Sequence, residues 1–183
     1  MHRVQVLDER GVARALERMA AELVERTGDE KLLYLVGVQT RGVPLAKRLA
    51  GLIAGVTGHE PAVGALDIAL YRDDVGPWRP AHQQPVLRDT DLPVPVDDKV
   101  VCLVDDVLYT GRTVRAALDT LMDYGRPQAI RLAVLVDRGH RELPIAADFV
   151  GKTVPTARSE DVQVRLKESD GEEGVWIAKE VAG

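Results

Sequence analysis

The sequence predicts an α/β fold with a central, mainly parallel sheet flanked by helices, and three observations carry that expectation. Short uninterrupted apolar runs recur along the chain: "LLYLVGV" (Leu32–Val38), "VVCLV" (Val100–Val104) and "IRLAVLV" (Ile130–Val136). Runs of that length without alternation suit strands buried on both faces. Segments with apolar residues at helical spacing lie between them, the order from which parallel sheets are built. Finally, three polar clusters fall at the ends of predicted strands: Thr40-Arg41-Gly42, Asp105 to Thr113, and Asp137-Arg138-Gly139. Ligands bind at the carboxyl ends of strands in such sheets.

Taken in order, Asp8 is placed to cap a first helix running to about Arg26, with Val12, Leu16, Met19 and Leu23 on one face and Gly28 as its stop. The strand Leu32–Val38 comes next, then a helix in which Pro44 occupies the first turn and Leu45, Leu49, Leu52 and Ile53 form the apolar stripe. Ala62–Tyr71 reads as another strand. From Arg72 to Asp98 the chain contains Pro77, Pro80, Pro85, Pro93 and Pro95 with little periodicity, which predicts a long loop. The strand Val100–Val104, a helix Arg112–Tyr124 ended by Gly125 and Pro127, and the strand Ile130–Val136 follow. "ADFVG", "VQVRL" and "GVWIAK" supply short strands near the C-terminus.

The 183 residues suffice for a single domain (1–183) with a sizeable core. With 45% hydrophobic and 29% charged residues, the composition is that of a soluble globular protein. No apolar run is long enough to span a bilayer and no leader pattern opens the chain, so a cytoplasmic location is expected. The lone cysteine, Cys102, sits in an apolar run and reads as a buried small hydrophobe. A net charge of −5 excludes a surface that is basic throughout but leaves room for a local basic face.

Chemistry concentrates in "VCLVDDVLYTGRT" (Val101–Thr113). Backbone N–H groups of Thr110, Gly111, Arg112 and Thr113 would open the following helix, where orphan donors and partial positive charge favour a phosphate. Neither the Gly-x-x-x-x-Gly-Lys-Ser/Thr loop nor the dinucleotide Gly-x-Gly-x-x-Gly occurs. Asp105 and Asp106 then make sense facing vicinal sugar hydroxyls, with a divalent cation nearby, and the implied ligand is a ribose 5-phosphate. An ordinary helix N-terminus would account for one aspartate; it fits two after an apolar run poorly.

This segment resembles the phosphoribosyl pyrophosphate (PRPP) loop of type I phosphoribosyltransferases. Together with "GVQTRGVPLAKRL", "LDIALYRDD", "LVDRGHRELPI" and "ADFVGKTVPTARSE", it resembles the PyrR family, pyrimidine operon regulators that are also uracil phosphoribosyltransferases. The resemblance implies a type I phosphoribosyltransferase fold with a flexible hood loop, and the reaction of uracil with PRPP to give UMP and pyrophosphate. It places Asp105 and Asp106 on the ribose hydroxyls, and the whole segment Asp105, Asp106, Val107, Leu108, Tyr109, Thr110, Gly111, Arg112 and Thr113 around PRPP. Thr40, Arg41 and Gly42 become the pyrophosphate loop, with Arg41, Asp105 and Asp106 as the catalytic set. Asp137, Arg138 and Val162 become the wall beside the base, and Tyr71, Arg72, Asp73 and Asp74 the base of the hood. Mg²⁺ is expected to come with PRPP, held by pyrophosphate and sugar oxygens rather than by a direct protein cage. His140, in a Gly-His-Arg turn, is left outside the catalytic set.

The resemblance also implies uridine nucleotides (UMP or UTP) as effectors, pyrimidine-operon leader RNA as a partner, no membrane, and a homodimer or higher oligomer. Arg14, Arg18, Arg141 and Lys152 are the candidate RNA contacts, although a solvated face balanced by Glu17, Glu22 and Glu25 is the favoured reading of the helix arginines. Two departures bear on RNA. Ala21 stands where RNA-binding relatives usually carry a histidine, and Ala146 stands where they usually carry an arginine. Alternatives are a nucleotide-sensing RNA-binding regulator without significant catalysis, a phosphoribosyltransferase that has lost RNA binding, and a purine or orotate phosphoribosyltransferase.

Overall fold

The computed structural model describes residues 2–69 and 90–179. Among the described residues, eight strands and four α-helices follow one another as β1 (His2–Leu7), α1 (Glu9–Thr27), β2 (Leu33–Val38), α2 (Gly42–Thr57), β3 (Ala62–Leu66), β4 (Val100–Leu108), α3 (Arg112–Met122), β5 (Ala129–Asp137), β6 (Phe149–Thr153), β7 (Glu160–Arg165), the short α4 (Lys167–Asp170) and β8 (Gly174–Lys179).

Five strands form one sheet in the order β3-β2-β4-β5-β6, every neighbouring pair parallel. The apolar runs are buried on both faces, and alternate residues serve different layers. Leu33 and Leu35 of β2 with Cys102 and Val104 of β4 pack under α1 and α2, joined by Leu16, Met19, Leu23, Leu45, Leu49 and Ile53. Tyr34, Val36 and Val38 with Val101 and Leu103 face the other way, onto Val114, Ala117 and Leu121 of α3. Burial pushes the pKa of the Cys102 thiol up, which keeps it protonated and inert.

Local signals behave as expected at α1. Asp8 accepts a hydrogen bond from Gly11 N at 2.7 Å, and Gly28 closes the helix at φ 79° with its N–H on Val24 O.

Five elements differ from the sequence expectation. The strand β4 does not stop at Val104; it continues to Leu108, with Asp105 opposite Val134 and Leu108 opposite Asp137, so the aspartates lie within the strand. β3 ends at Leu66 and α3 at Met122, both shorter than anticipated. β1 was not anticipated: it pairs antiparallel with β8, which pairs with β7, in a separate three-stranded sheet of order β1-β8-β7. The turn of helix at α4 was likewise unforeseen, because four residues carry no periodicity. The proposed hood residues Tyr71, Arg72, Asp73 and Asp74 lie outside the described residues.

After β2 the chain first adds β3 on one side, then crosses to place β4 on the other. The carboxyl ends of β2 and β4 are therefore where connections diverge, the place where open α/β sheets form a crevice.

Candidate active site

Two loops meet at that crevice. From β2, Gln39 to Arg41 turns into α2, and two glycines let it sit close. A Cβ on Gly42 would lie 2.2 Å from the Val104 carbonyl oxygen, and one on Gly37 would lie 2.5 Å from the Gly42 carbonyl oxygen. Only glycine permits this approach, which brings Arg41 beside the strand segment holding Asp105. The Gln39–Thr40 peptide is cis. Arg41 stands at the N-cap position of α2 without a side-chain capping bond. Its guanidinium instead grips Asp170: Nε donates to Oδ2 at 3.1 Å and Nη2 to Oδ1 at 2.8 Å. The hydrogen bond to Asp170 raises the Arg41 pKa from its ordinary value, and the same bond lowers that of Asp170.

From β4, Asp105 is buried, with an Oδ1 that accepts from the Asp106 N–H at 2.9 Å. Asp106 repeats this one residue on, its Oδ1 accepting from Val107 N at 2.9 Å. These bonds fix both carboxylates against their own backbone. Asp106 lines a cavity of about 340 Å³ with Arg41, Asp161, Val162, Gln163, Val164, Arg165 and Asp170.

The turn beyond β4 is held from outside. Gly111 adopts φ 93°, a conformation that favours glycine, and α3 starts directly after it. Thr110 Oγ1 accepts from Arg112 N at 3.3 Å, while the Thr110 carbonyl accepts from Glu142 N at 2.9 Å and Leu143 N at 3.2 Å. The Arg112 guanidinium points to Glu142, with Nε on Oε2 at 2.8 Å. The Arg112 N–H is thus engaged within the turn, and its guanidinium is turned towards Glu142.

On the far side, Arg138 is 6% exposed and lies over the Tyr109 ring with its guanidinium carbon 4.0 Å from the centroid. Its Nη2 donates to the carbonyls of Glu160 at 2.7 Å and Ala157 at 3.3 Å, and its Nε has no partner among the described residues. A second cavity of about 420 Å³ is bounded by Tyr109, Arg138, Arg158, Ser159, Glu160, Asp161, Gln163 and Ala178. Asp161 and Gln163 of β7 border both cavities, so one strand spans the two halves of the site. Val162 borders the first cavity, beside Arg41, and Asp137 is turned into the framework. Its Oδ1 accepts from Gly139 N at 3.0 Å and its Oδ2 from Arg141 Nη2 at 2.5 Å. His140 Nε2 donates to the Thr156 carbonyl at 2.6 Å.

A phosphoribosyl transferase domain family model matches residues 2–169. "Bifunctional protein PyrR" of Pelotomaculum thermopropionicum is 59% identical over 175 residues, covering 96% of this chain and 95% of that protein. The Bacillus subtilis protein of the same name is 52% identical over 172 residues, covering 94% of each. The chain belongs to the PyrR family of phosphoribosyltransferases. The likeness extends to solved structures in fold. A hypoxanthine-guanine phosphoribosyltransferase from Bacillus anthracis superposes with a TM-score of 0.70 at 17% identity over 96% of both chains. The enzyme from Leishmania tarentolae, in complex with GMP, gives 0.70 at 18% identity, covering 98% of this chain and 99% of that one. The α/β fold of type I phosphoribosyltransferases expected from the sequence is therefore the fold of this PyrR-family chain.

The residues expected to meet RNA separate into two groups. Arg14 on α1 and Lys152 on β6 are exposed. Arg18 is tied to β6, the edge of the parallel sheet: Nη1 and Nη2 donate to Val150 O at 3.2 Å, Nη2 also bonds Gly151 O, and Nη1 meets Glu22 Oε1 at 2.9 Å. Arg141 donates to the carbonyls of Ile145 at 2.9 Å and Tyr109 at 2.8 Å as well as to Asp137. These two arginines organise the fold around them. Sequence reasoning missed Asp161, Gln163 and Asp170, which border the site; their only signal was position on a short polar strand and turn.

No group of three or more His, Cys, Asp or Glu side chains suited to a metal occurs among the described residues. Asp106, Asp161 and Asp170 are the carboxylates that line the first cavity and could help to hold a cation brought by a substrate. No described helix is long and apolar enough to cross a membrane.

Proposed function

We propose that this single-domain, cytoplasmic protein is a uracil phosphoribosyltransferase, joining uracil to the ribose 5-phosphate of PRPP and releasing pyrophosphate. The observation that carries the reading is the meeting of the Gln39–Gly42 loop, through Gly42, with the segment of β4 that presents Asp105 and Asp106. A diphosphate leaving group and a ribose require neighbouring sites, and the crevice supplies an arginine beside a pair of carboxylates. The base is read as uracil on the resemblance to the PyrR family, a reading supported by relatives named bifunctional protein PyrR.

On this reading the backbone donors at 111–113 hold the 5-phosphate, and Asp105 and Asp106 accept from the ribose hydroxyls. As the C1–pyrophosphate bond lengthens, positive charge develops on the ribose, and the Asp106 carboxylate beside it lowers the energy of that state. Arg41 meets the negative charge that builds on the departing diphosphate. N1 of uracil, oriented by the wall at Arg138 and Val162, then forms the new bond to C1 as its proton passes to water or to the departing diphosphate, so that positioning supplies much of the acceleration. Asp105 and Asp106 would help to hold a Mg²⁺ that comes with PRPP, and the ion would supply charge neutralisation for the diphosphate. The Tyr71–Asp74 segment is assigned to the hood that excludes water from the activated ribose.

The same chain is read as a homodimer or larger assembly that regulates pyrimidine operons by binding leader RNA in response to UMP or UTP. The departures Ala21 and Ala146 are both exposed, so a protein surface is altered where relatives usually carry a histidine and an arginine. RNA contacts then fall to cations such as Arg14 and Lys152. Turnover of labelled uracil with PRPP and Mg²⁺, measured beside leader-RNA binding with and without UMP, tests both halves. Uracil conversion with UMP-stimulated RNA binding is expected. UMP binding without conversion would leave a sensor, and turnover of hypoxanthine or orotate in place of uracil would overturn the base assignment.

A further inference from the structure

The pair formed by Arg41 and Asp170 joins two parts of the chain 129 residues apart. Asp170 ends α4, the turn between β7 and β8, and its Oδ2 also accepts from Leu166 N at 2.9 Å. The turn is anchored a second time. Arg48, two helical turns beyond Arg41 on α2, bonds both carboxylate oxygens of Glu168 and of Glu173, with Nη2 on Glu173 Oε2 at 2.8 Å. Asp170 is therefore a fixed point, only 13% exposed at its side chain.

A guanidinium has five N–H donors in a rigid fork. Asp170 takes the edge formed by Nε and Nη2, which leaves the Nη1 donors for another acceptor. Arg41 and Asp170 border the same cavity as Asp106, and the Arg41 side chain remains 36% exposed towards it. A side chain with this much freedom would otherwise sample several rotamers and be ordered only when ligand binds.

We propose that Asp170 is a positioning residue, holding Arg41 by one edge so that the opposite edge is presented to the diphosphate leaving group. The inference rests on reading the cavity as a PRPP site. Asp170 touches no reacting atom; it acts through Arg41 by ordering it in advance. Its negative charge works in the opposite direction, repelling a diphosphate, and the proposal requires that orientation outweigh this repulsion.

The test is a double-mutant cycle on the full chain using Asp170→Asn, Arg41→Met and the pair, with PRPP and Mg²⁺ as the probe in calorimetry and in uracil turnover. Asp170→Asn keeps the side-chain shape, and thermal melting establishes that each variant is folded at the assay temperature. Asp170→Asn is expected to raise the KM for PRPP and its dissociation constant roughly fivefold to tenfold, with the KM for uracil unchanged. In the Arg41→Met background the same change is expected to have no further effect on PRPP. An equal loss in both backgrounds would show that Asp170 merely supports the turn and would overturn the proposal. So would unchanged or tighter PRPP binding by Asp170→Asn, the latter marking the carboxylate as a repulsive gate. Failure of the unmutated protein to bind PRPP would instead remove the substrate reading itself, and is seen before any variant is compared.

Discussion

The α-carbon of Gly42 packs against the main chain of Val104 so closely that a methyl group on it would lie 2.2 Å from the carbonyl oxygen. One glycine thereby sets the distance between the loop after β2 and the strand that carries Asp105 and Asp106. The neighbour is backbone in the middle of a five-stranded sheet, so it cannot move aside at low cost.

Gly42→Ala should therefore separate the two loops. Overpacking of this kind costs about 1–3 kcal/mol, and a displacement of about 1 Å in a site can lower turnover about a hundredfold. Thermal melting with uracil turnover checks both. Retention of full activity would mean that the close approach does not set the catalytic geometry.

Asp105→Asn combined with Asp106→Asn should abolish PRPP turnover, a loss of at least about a hundredfold, while leaving the fold intact. Each asparagine can still accept the amide bond that its aspartate takes from the next residue, so circular dichroism should be unchanged. Surviving turnover in a folded variant would defeat the ribose assignment.

Arg18→Ala should act chiefly on stability. Its guanidinium covers the Val150 and Gly151 carbonyls on the edge strand β6, while Arg26 bonds the Asp148 carbonyl at 2.7 Å and lies over the Phe149 ring. Loss of these bonds costs about 1 kcal/mol, read as a lower melting temperature. Lys152→Ala should leave the melting temperature alone and reduce the salt dependence of leader-RNA binding by about one unit of slope. The reverse pattern would return Arg18 to the RNA surface.

The tie between α2 and the α4 turn should be sensitive to acid. The Arg41 hydrogen bond lowers the folded-state pKa of Asp170, and Arg48 does the same to Glu168 and Glu173. Groups with depressed folded values stabilise the protein above their unfolded pKa, about 4, and lose that contribution as pH falls through the folded values. The melting temperature of Asp170→Asn should thus lie below that of the unmutated protein at pH 7, with the gap closing below about pH 4. A gap independent of pH would indicate that the charge is not what holds the turn.

Much of the architecture is local in origin and was legible for that reason. The three apolar runs became the adjacent strands β2, β4 and β5, and Asp8 and Gly28 bound α1 because capping depends on residues within one turn. The extension of β4 through Asp105 and Asp106 was not legible, since carboxylates are poor strand formers and their pairing with β5 is decided across the sheet. β1 escaped notice because its partner β8 lies at the other end of the chain and neither strand is apolar throughout.

By itself, the sequence determined a mainly parallel α/β sheet, the Asp-Asp pair followed by its Thr-Gly-Arg-Thr turn, and the loop at Thr40 to Gly42. Each is written in contiguous residues whose period, glycines and charges restrict the backbone locally. Only the tertiary structure decided which charges are occupied. Arg18 and Arg141 look free in the sequence and are spent on backbone carbonyls, while Asp170, featureless in the sequence, holds Arg41 across 129 residues. Hydrogen bonds are satisfied in space rather than along the chain, so a side chain's partner depends on what folding brings beside it.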